Sequence, residues 1–540
     1  MKSVVICEKK TQADKLREAL GNRYGEIIPL SGHILTLKEP EDIRSEWERW
    51  GFDVLWPGHL YPTKIGGIDK KQVDFHTSIL SRIKSALAGA DQVIIATDCD
   101  REGQVIGQEV LEYLKWNGKT LRALFNALDK KSLEEAFANA IPNERQQKLF
   151  EAGQARQQCD QVANLSRTRA ASKAFIPPGS RGVVGIGRVK SPTMAIICQR
   201  EQEIIDFKPQ AYYEVLADVQ AGEKVPFRCS GLPKGAEEEA PEDDEDDDAA
   251  GEESLEAVTP LAGKIMDKAV ADGLAASVNG TSPRIVVISA KKSKAPPSLY
   301  DLSALQAAAS SAYGWSADKT QEIAQLLYSE YEVTTYPRSD VKWLPESEAA
   351  EIPQLVTALL RIPRYEKVAP LLENPIIRKG KQGHFYDGGT KDESHYAIVP
   401  NGSVADKIPE IVANLPEDPA KLFDLIARRY MAALAPDYQY RKTDAHFEHP
   451  WAPPGKPEIR WKFSASGAIP VSQGWRSIIG GGAKEDGDLP PMENGKPLPV
   501  VGSKTETKST KAPARFTDGS IITMMKQAWR MIPEEDREVN

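Results

Sequence analysis

The run Asp98-Cys99-Asp100-Arg101-Glu102-Gly103 carries three carboxylates, and Glu8 adds a fourth far upstream. Each group of acids follows an apolar run, Val4-Val5-Ile6-Cys7 in one case and Val93-Ile94-Ile95-Ala96 in the other. If both runs are strands of one parallel sheet, their C-terminal ends bring the acids to one rim, where open α/β sheets place their ligands. Carboxylates that close raise one another's pKa unless a cation binds them. Mg²⁺ takes oxygen ligands from a few carboxylates plus phosphate. The chemistry indicated is metal-assisted phosphoryl transfer, with Glu8, Asp98, Asp100 and Glu102 as metal ligands and one acid left to move protons. Read alone, this acidic run is a strand-to-helix loop with an aspartate cap. Glu8 at a matching strand end argues against that reading.

A second constellation is Thr335-Tyr336-Pro337-Arg338-Ser339-Asp340. A tyrosine phenol can attack phosphorus and store the bond energy as a phosphotyrosine ester. An arginine two residues on can lay its planar fork on the phosphate oxygens. Singly, Tyr336 reads as one packed tyrosine among sixteen, and Arg338 as a surface ion pair. His395, read alone, is a satisfied core or surface histidine.

These groups need elements to hold them. The first 150 residues alternate apolar strands with helical patterns, which indicates a parallel α/β sheet. Thr11 is placed to cap the first helix, with Asp14 at its third position. Ile106, Val110 and Leu114 mark one face of another. Residues 150–210 read as helical, 211–293 as strand-like, 299–362 and 405–435 as helical, and 436–475 as strands with Tyr, Phe and Trp. The tail after about residue 480 is rich in Gly, Pro and Lys, with a short helix near 519–531.

Composition bounds the class. At 540 residues and 41% hydrophobic content, the chain has material for three or four domains. Its net charge of −9 argues at first against a nucleic-acid partner. Yet Glu237 to Glu253 holds twelve acids and no Lys or Arg, so −9 less those twelve negative charges leaves +3 elsewhere. Such a block reads as a solvated disordered insertion on a mildly basic body. Five scattered cysteines without a CxxC pair indicate free thiols in a reducing compartment and no zinc site. Neither a signal peptide nor a membrane-length apolar run is recognised, so a cytoplasmic protein is expected.

The ordered motifs resemble a known family. A strand ending in Glu, then a strand ending in DxDxE and Gly, resembles the Toprim domain of topoisomerases, primases and some nucleases. The choice among these comes from residues 296–343. Pro296-Pro297-Ser298-Leu299, Ser303-Ala304-Leu305-Gln306, Gly314-Trp315-Ser316 and Thr335-Tyr336-Pro337-Arg338-Ser339-Asp340 resemble the active-site segment of type IA DNA topoisomerases. Glu8-Lys9 is most similar to the bacterial topoisomerase III branch.

By that resemblance Tyr336 is the nucleophile, Arg338 holds the scissile phosphate, Glu8 shuttles a proton and Lys9 steadies the phosphate. His395, in the stretch His395-Tyr396-Ala397-Ile398-Val399-Pro400, sits near the phosphate as a donor of charge-assisted bonds. DNA contacts fall to His33 in Ser31-Gly32-His33, Arg156 and Asp160 in an A-R-x-x-x-D helix, Arg188 and Ser191 in Gly187-Arg188-Val189-Lys190-Ser191-Pro192, and Gln306. Departures are Lys10-Thr11 for Pro-Ser, Cys99 for Pro, Lys190 for Gln, and Gln157 for a basic residue.

The resemblance implies a multidomain α/β, α and β chain closed into a torus: a Toprim parallel-sheet domain (1–150), a helical DNA-binding domain (151–210 and 490–540), a strand-rich arch (211–295 and 407–489) with the disordered acidic insertion 236–254, and a helical domain carrying the tyrosine (296–406). It implies a monomer that uses Mg²⁺ and no ATP. Single-stranded segments or underwound duplex would be cut through a 5′-phosphotyrosine, passed and resealed, relaxing supercoils or decatenating DNA. Thr507 to Thr517 resembles the end of the family core. The G-[IL]-G-T-P-[AS]-T-R element that follows it in the family is missing before Asn540, so a truncated chain is expected. A Toprim primase or nuclease would need the carboxylates without the Tyr336 segment. A non-enzymatic single-stranded-DNA scaffold would need neither.

Overall fold

The computed structural model describes residues 2–231, 261, 263–390, 395–480 and 489–528. The acidic stretch 236–254, Ser394 and the expected tail helix beyond residue 528 lie outside the described residues.

The N-terminal unit is a five-stranded sheet in the order Glu26–Pro29, Ser3–Cys7, Gln92–Ile95, Lys119–Arg122, Ile141–Pro142. The first four strands are parallel, with Val5 beside Ile27 and Ile94. The fifth runs antiparallel at the edge, because the chain turns back there to enter a long helix instead of crossing over the sheet. Helices Lys10–Leu20 and Lys130–Ala138 cover one face, through Ala13, Leu16, Leu133 and Phe137. Helices Lys70–Leu87 and Arg101–Tyr113 cover the other, through Ile79, Ile83, Ile106 and Val110. Burial on both faces is why these strands read as unbroken apolar runs.

Thr11 does not cap the first helix. That helix starts at Lys10, and its N-cap, Lys9, makes no side-chain cap bond. Gln12 reaches back instead and accepts the Glu8 N–H at 2.8 Å. The helix thus begins two residues earlier than a threonine cap at 11 allows, and its first turn ties down the strand end that carries Glu8.

Two further helices, Gln147–Phe175 and Lys190–Asp206, follow. A six-stranded antiparallel sheet comes next, in the order Val286–Lys294, Tyr438–Trp451, Ile459–Ser472, Glu223–Cys229, Ala211–Ala221, Val500–Ser509. Its core is aromatic: Phe447 and Phe463 stack with centroids 5.0 Å apart and Phe227 lies beside Phe447, while helix Lys268–Val278 closes the face. The strand Val500–Ser509 pairs along Ala211–Ala221, so residues from 500 to 509 belong to this sheet by register although the boundary at 490 groups them with the helices.

The segment with Tyr336 belongs to a helical unit. Its helices Leu302–Tyr313, Ala317–Ser329, Ile352–Leu360 and Glu417–Leu434 share one large core. Ser316 caps the second of them by accepting the Lys319 N–H. The tail helix Asp518–Lys526 lies against Leu302–Tyr313, with Gly519 over Ala307 and Lys526 paired to Asp301 at 2.7 Å.

Helix Arg101–Tyr113 approaches the sheet closely at Gly107, where an added Cβ would meet Ile95 Cγ2 at 2.4 Å. Gly107→Ala is therefore expected to push the helix off the strand. The predicted loss is about 1–3 kcal/mol, measured by chemical denaturation, against little change for Ala at the exposed Gly185, where nothing lies within 4 Å and φ is not left-handed.

Candidate active site

Three parallel strands end on one rim. Ser3–Cys7 delivers Glu8 and Lys9, and Gln92–Ile95 delivers Asp98 and Asp100. Lys119–Arg122, followed by Ala123 to Phe125, delivers Asn126. The turn Ser31-Gly32 supports the first of these: Gly32 N–H donates to Glu8 O at 3.0 Å, and both residues have positive φ (66° and 82°). Asp100 caps the next helix by accepting the Gly103 N–H at 2.7 Å. Glycine is required at 103, because an added Cβ would meet Asp98 O at 2.1 Å.

Tyr336 is docked on this rim. Its hydroxyl lies 3.1 Å from Asp100 Oδ2 and 3.4 Å from Asp98 Oδ2. Its backbone N–H donates to Asn126 O at 3.0 Å. The ring stacks on His395 with centroids 3.9 Å apart and meets the edge of Tyr328 at 5.4 Å. Both tyrosines join the core that covers one face of the N-terminal sheet, although they belong to the helical unit. Burial, then the Asp98 and Asp100 carboxylates, hold the Tyr336 phenol far above its ordinary range, against an opposing effect of Arg338.

Asp98 is pushed up to about 6 by burial and then by Glu8, with Lys9 acting against them. Lys9 Nζ lies 3.1 Å from Glu8 Oε1 and 3.6 Å from Asp98 Oδ2. Burial works against its charge, but Asp98 and Glu8 outweigh that and raise its pKa. The ammonium already sits as a cation among these acids.

The expectation of four convergent carboxylates needs correction. Glu102 stands in the first turn of its helix, where it is exposed and 3.8 Å from His33 Nε2. Among the described residues no three ligand-type side chains are close enough to hold an ion as they stand. The donor set still fits a hard cation: Glu8, Asp98 and Asp100 crowd together with the raised Asp98 as their signature, and Glu102 is free to turn.

His395 also departs from expectation. Burial pushes it down to about 3, so it is a neutral imidazole here rather than a charged donor. Its Nδ1 lies 2.6 Å from Asn126 Oδ1, while Nε2 is buried without a partner. Arg338 is exposed and close enough to act on Asp98, Lys9 and Tyr336.

His33 and Glu102 open into a cleft of about 720 Å³ that Arg101, Arg156 and Asp160 also line. Arg188 grips Asp160 with two hydrogen bonds of 2.9 Å, so its guanidinium is occupied in this state. Ser191 Oγ accepts the Gly187 N–H. Gln306 is not brought to the site; it donates to Ala317 O and joins two helices.

Three residues escaped sequence reasoning. Gln12 donates to Asp98 Oδ1 at 3.1 Å while accepting from Glu8. Arg122, fully buried, donates to the carbonyls of Ile95, Thr97, Ala123 and Asp98 and to Gln104. It holds the backbone that presents Asp98. Asn126 follows the third parallel strand, and applying the rim rule to that strand end would have found it.

Comparisons with known proteins agree with this layout. A family model described as DNA topoisomerase matches residues 144–529, and one described as Toprim domain matches residues 3–128. DNA topoisomerase 3 of Bacillus licheniformis is 28% identical over 559 residues, covering all of this chain and 69% of that protein. The Bacillus subtilis protein of the same name is 26% identical over 558 residues, covering 99% and 68%. The fold is similar to that of full-length topoisomerase I from Thermotoga maritima, with a TM-score of 0.66 at 20% identity, covering 97% of this chain and 75% of that one.

The helical unit holds a second suppressed histidine. His384 Nε2 lies 2.9 Å from Pro297 O, and burial pushes its pKa down to about 4. The unfolded chain binds the proton below its ordinary value of about 6.5. The stability due to neutral His384 is therefore complete above that pH and is lost as pH falls toward 4, at up to about 1.4 kcal/mol per unit. Denaturation of the parent and His384→Gln from pH 7 to 4 measures it; the difference between the two is expected to shrink as pH falls, and a constant difference would contradict the assignment.

Proposed function

The chain belongs to the type IA DNA topoisomerase family, with a Toprim domain at its start, and from that premise we propose that Tyr336 cuts one DNA strand, holds it covalently and reseals it. The observation that carries this reading is the docking of the Tyr336 hydroxyl on Asp98 and Asp100. A phenol held this far above its ordinary pKa is not a free phenolate. Its proton must pass to a neighbour as the oxygen attacks phosphorus, and the acceptors within reach are Asp98 and Asp100. The bond formed is Tyr336 O to the 5′ phosphate, and the bond broken frees a 3′ oxygen. The proton that Tyr336 gives up is the one the freed 3′ oxygen takes, passed among these acids through Glu8, and resealing returns it by the same route. Lys9 and the exposed Arg338 place positive charge where the phosphate gathers negative charge. Neutral His395 keeps the ring of Tyr336 flat against the rim, and with Nδ1 donating to Asn126 Oδ1 its Nε2 can bond a phosphate oxygen only after taking up a proton.

Glu8, Asp98, Asp100 and Glu102 would hold Mg²⁺, which when bound neutralises the acids and draws DNA phosphate to them. The cleft lined by His33, Arg101 and Arg156 would lead single-stranded DNA to the rim. Arg188 and Ser191 would contact the strand once Arg188 leaves Asp160, whereas Gln306 has a structural bond instead. Strand passage then requires the helical unit carrying Tyr336 to leave the Toprim rim with the phosphate attached. A monomer suffices, since every group named is on one chain, and no helix of the described residues is long and apolar enough to cross a membrane.

End-labelled single-stranded oligonucleotides with Mg²⁺ test the reading. A covalent adduct carrying the 3′ fragment is expected from the parent, and it should vanish in Tyr336→Phe and when EDTA removes the metal. An adduct that survives in Tyr336→Phe, or DNA cut without an adduct, would refute the assignment. Arg338→Ala is expected to slow cleavage about 10²–10³-fold.

A further inference from the structure

Beside the rim, a polar seam joins the two units that must part. Asp129 is the N-cap of helix Lys130–Ala138 on the Toprim side, accepting from Ser132. It also accepts the Asn401 side-chain N–H across the seam at 3.2 Å, and both residues are buried at 3% exposure. Asn401 then ties down the backbone leading to Tyr336. Its Nδ2 donates to Glu332 O at 2.9 Å, its backbone N–H donates to Val333 O at 2.9 Å, and its Oδ1 accepts from Ser403 N. Glu332 takes φ +58°, which a non-glycine residue adopts only when held. Ser132 and Ser403 face each other at 3.2 Å, and Lys15 pairs with Glu332 at 2.6 Å.

The seam differs from the cores on either side. Cavities of about 280 and 400 Å³ flank it, and Ser403 lines both. A seam of hydrogen bonds between two cavities separates without tearing packed apolar surface, and water can satisfy the parted groups.

We propose that Asn401 and Asp129 are positioning residues that latch Tyr336 onto the Toprim rim, and that this latch sets how long the cleaved state stays open. The proposal rests on the reading of Tyr336 as nucleophile. Resealing requires the phosphotyrosine to return to the rim, so a weaker latch shifts the balance from intact DNA toward adduct.

The test is the ratio of adduct to intact single-stranded oligonucleotide at fixed Mg²⁺. Asn401→Asp keeps size and the acceptor for Ser403 but sets a like charge against Asp129. A rise of about three- to tenfold is expected, the range over which one hydrogen bond moves an equilibrium. The exchange Asp129→Asn with Asn401→Asp restores a donor opposite an acceptor across the seam and keeps a competent helix cap, but not the bond to Glu332 O, so it should bring the ratio part of the way back to the parent's. A purely structural role for Asn401 would not be rescued in this way. Ser403→Ala, which removes only the Ser132 contact, should raise the ratio by a smaller factor and decides the matter if Asn401→Asp does not fold. A ratio unchanged or lowered in the folded single variants, or an exchange whose ratio is no nearer the parent's than that of Asn401→Asp alone, overturns the latch. A parent that forms no adduct would instead overturn the reading of Tyr336.

Discussion

The structure depends on one contact, the Tyr336 phenol laid against the buried carboxylate of Asp98 and the half-buried one of Asp100. The site disfavours the charged form on both sides. Crowding and burial raise Asp98, and the same burial with the same acids raises Tyr336. Lys9 and Arg338 offset part of this, and a bound cation would offset more. The contact is therefore a site in which proton, phosphate and metal must arrive together, which suits a nucleophile that should not react until DNA is present.

The same contact joins two bodies with separate cores. The Toprim sheet is packed on both faces, and the helical unit has a large core of its own. What joins them is smaller: two tyrosine rings and a set of hydrogen bonds, each contributing about 0.5–1.5 kcal/mol, with ion pairs such as Lys15–Glu332 adding about 0–1 kcal/mol. Each core is held by burial of many apolar side chains at about 1.5–3 kcal/mol apiece. The weak plane of the molecule thus runs through the active site, and the two bodies can part while each remains folded.

Much of the site was legible in the sequence because its chemistry is carried locally. Glu8, Asp98 and Asp100 follow apolar strands, and Tyr336 and Arg338 stand in a patterned segment. What was not legible depends on register between distant segments. Gln12 meets Asp98, Arg122 meets the backbone from 95 to 98, and Asn401 meets Asp129; none of these pairings leaves a periodic signal. Glu102 and His395 take states their residue types do not announce: exposure leaves one 3.8 Å from His33, and burial leaves the other neutral. Strand Val500–Ser509 escaped because an edge strand with Lys504, Glu506 and Lys508 lacks apolar alternation.

The central claim is that cleavage occurs with Tyr336 docked and that passage requires it to leave. Distances between nitroxides at Thr77 on the Toprim unit and Glu373 on the helical unit, both exposed, test this most directly, with the exposed Cys159 and Cys198 replaced by Ser. Without DNA a single short distance is expected. Once the adduct forms with Mg²⁺ and single-stranded DNA, a second, longer population should appear, and it should be missing in Tyr336→Phe with the same DNA. Full adduct formation with one unchanged distance would contradict the account.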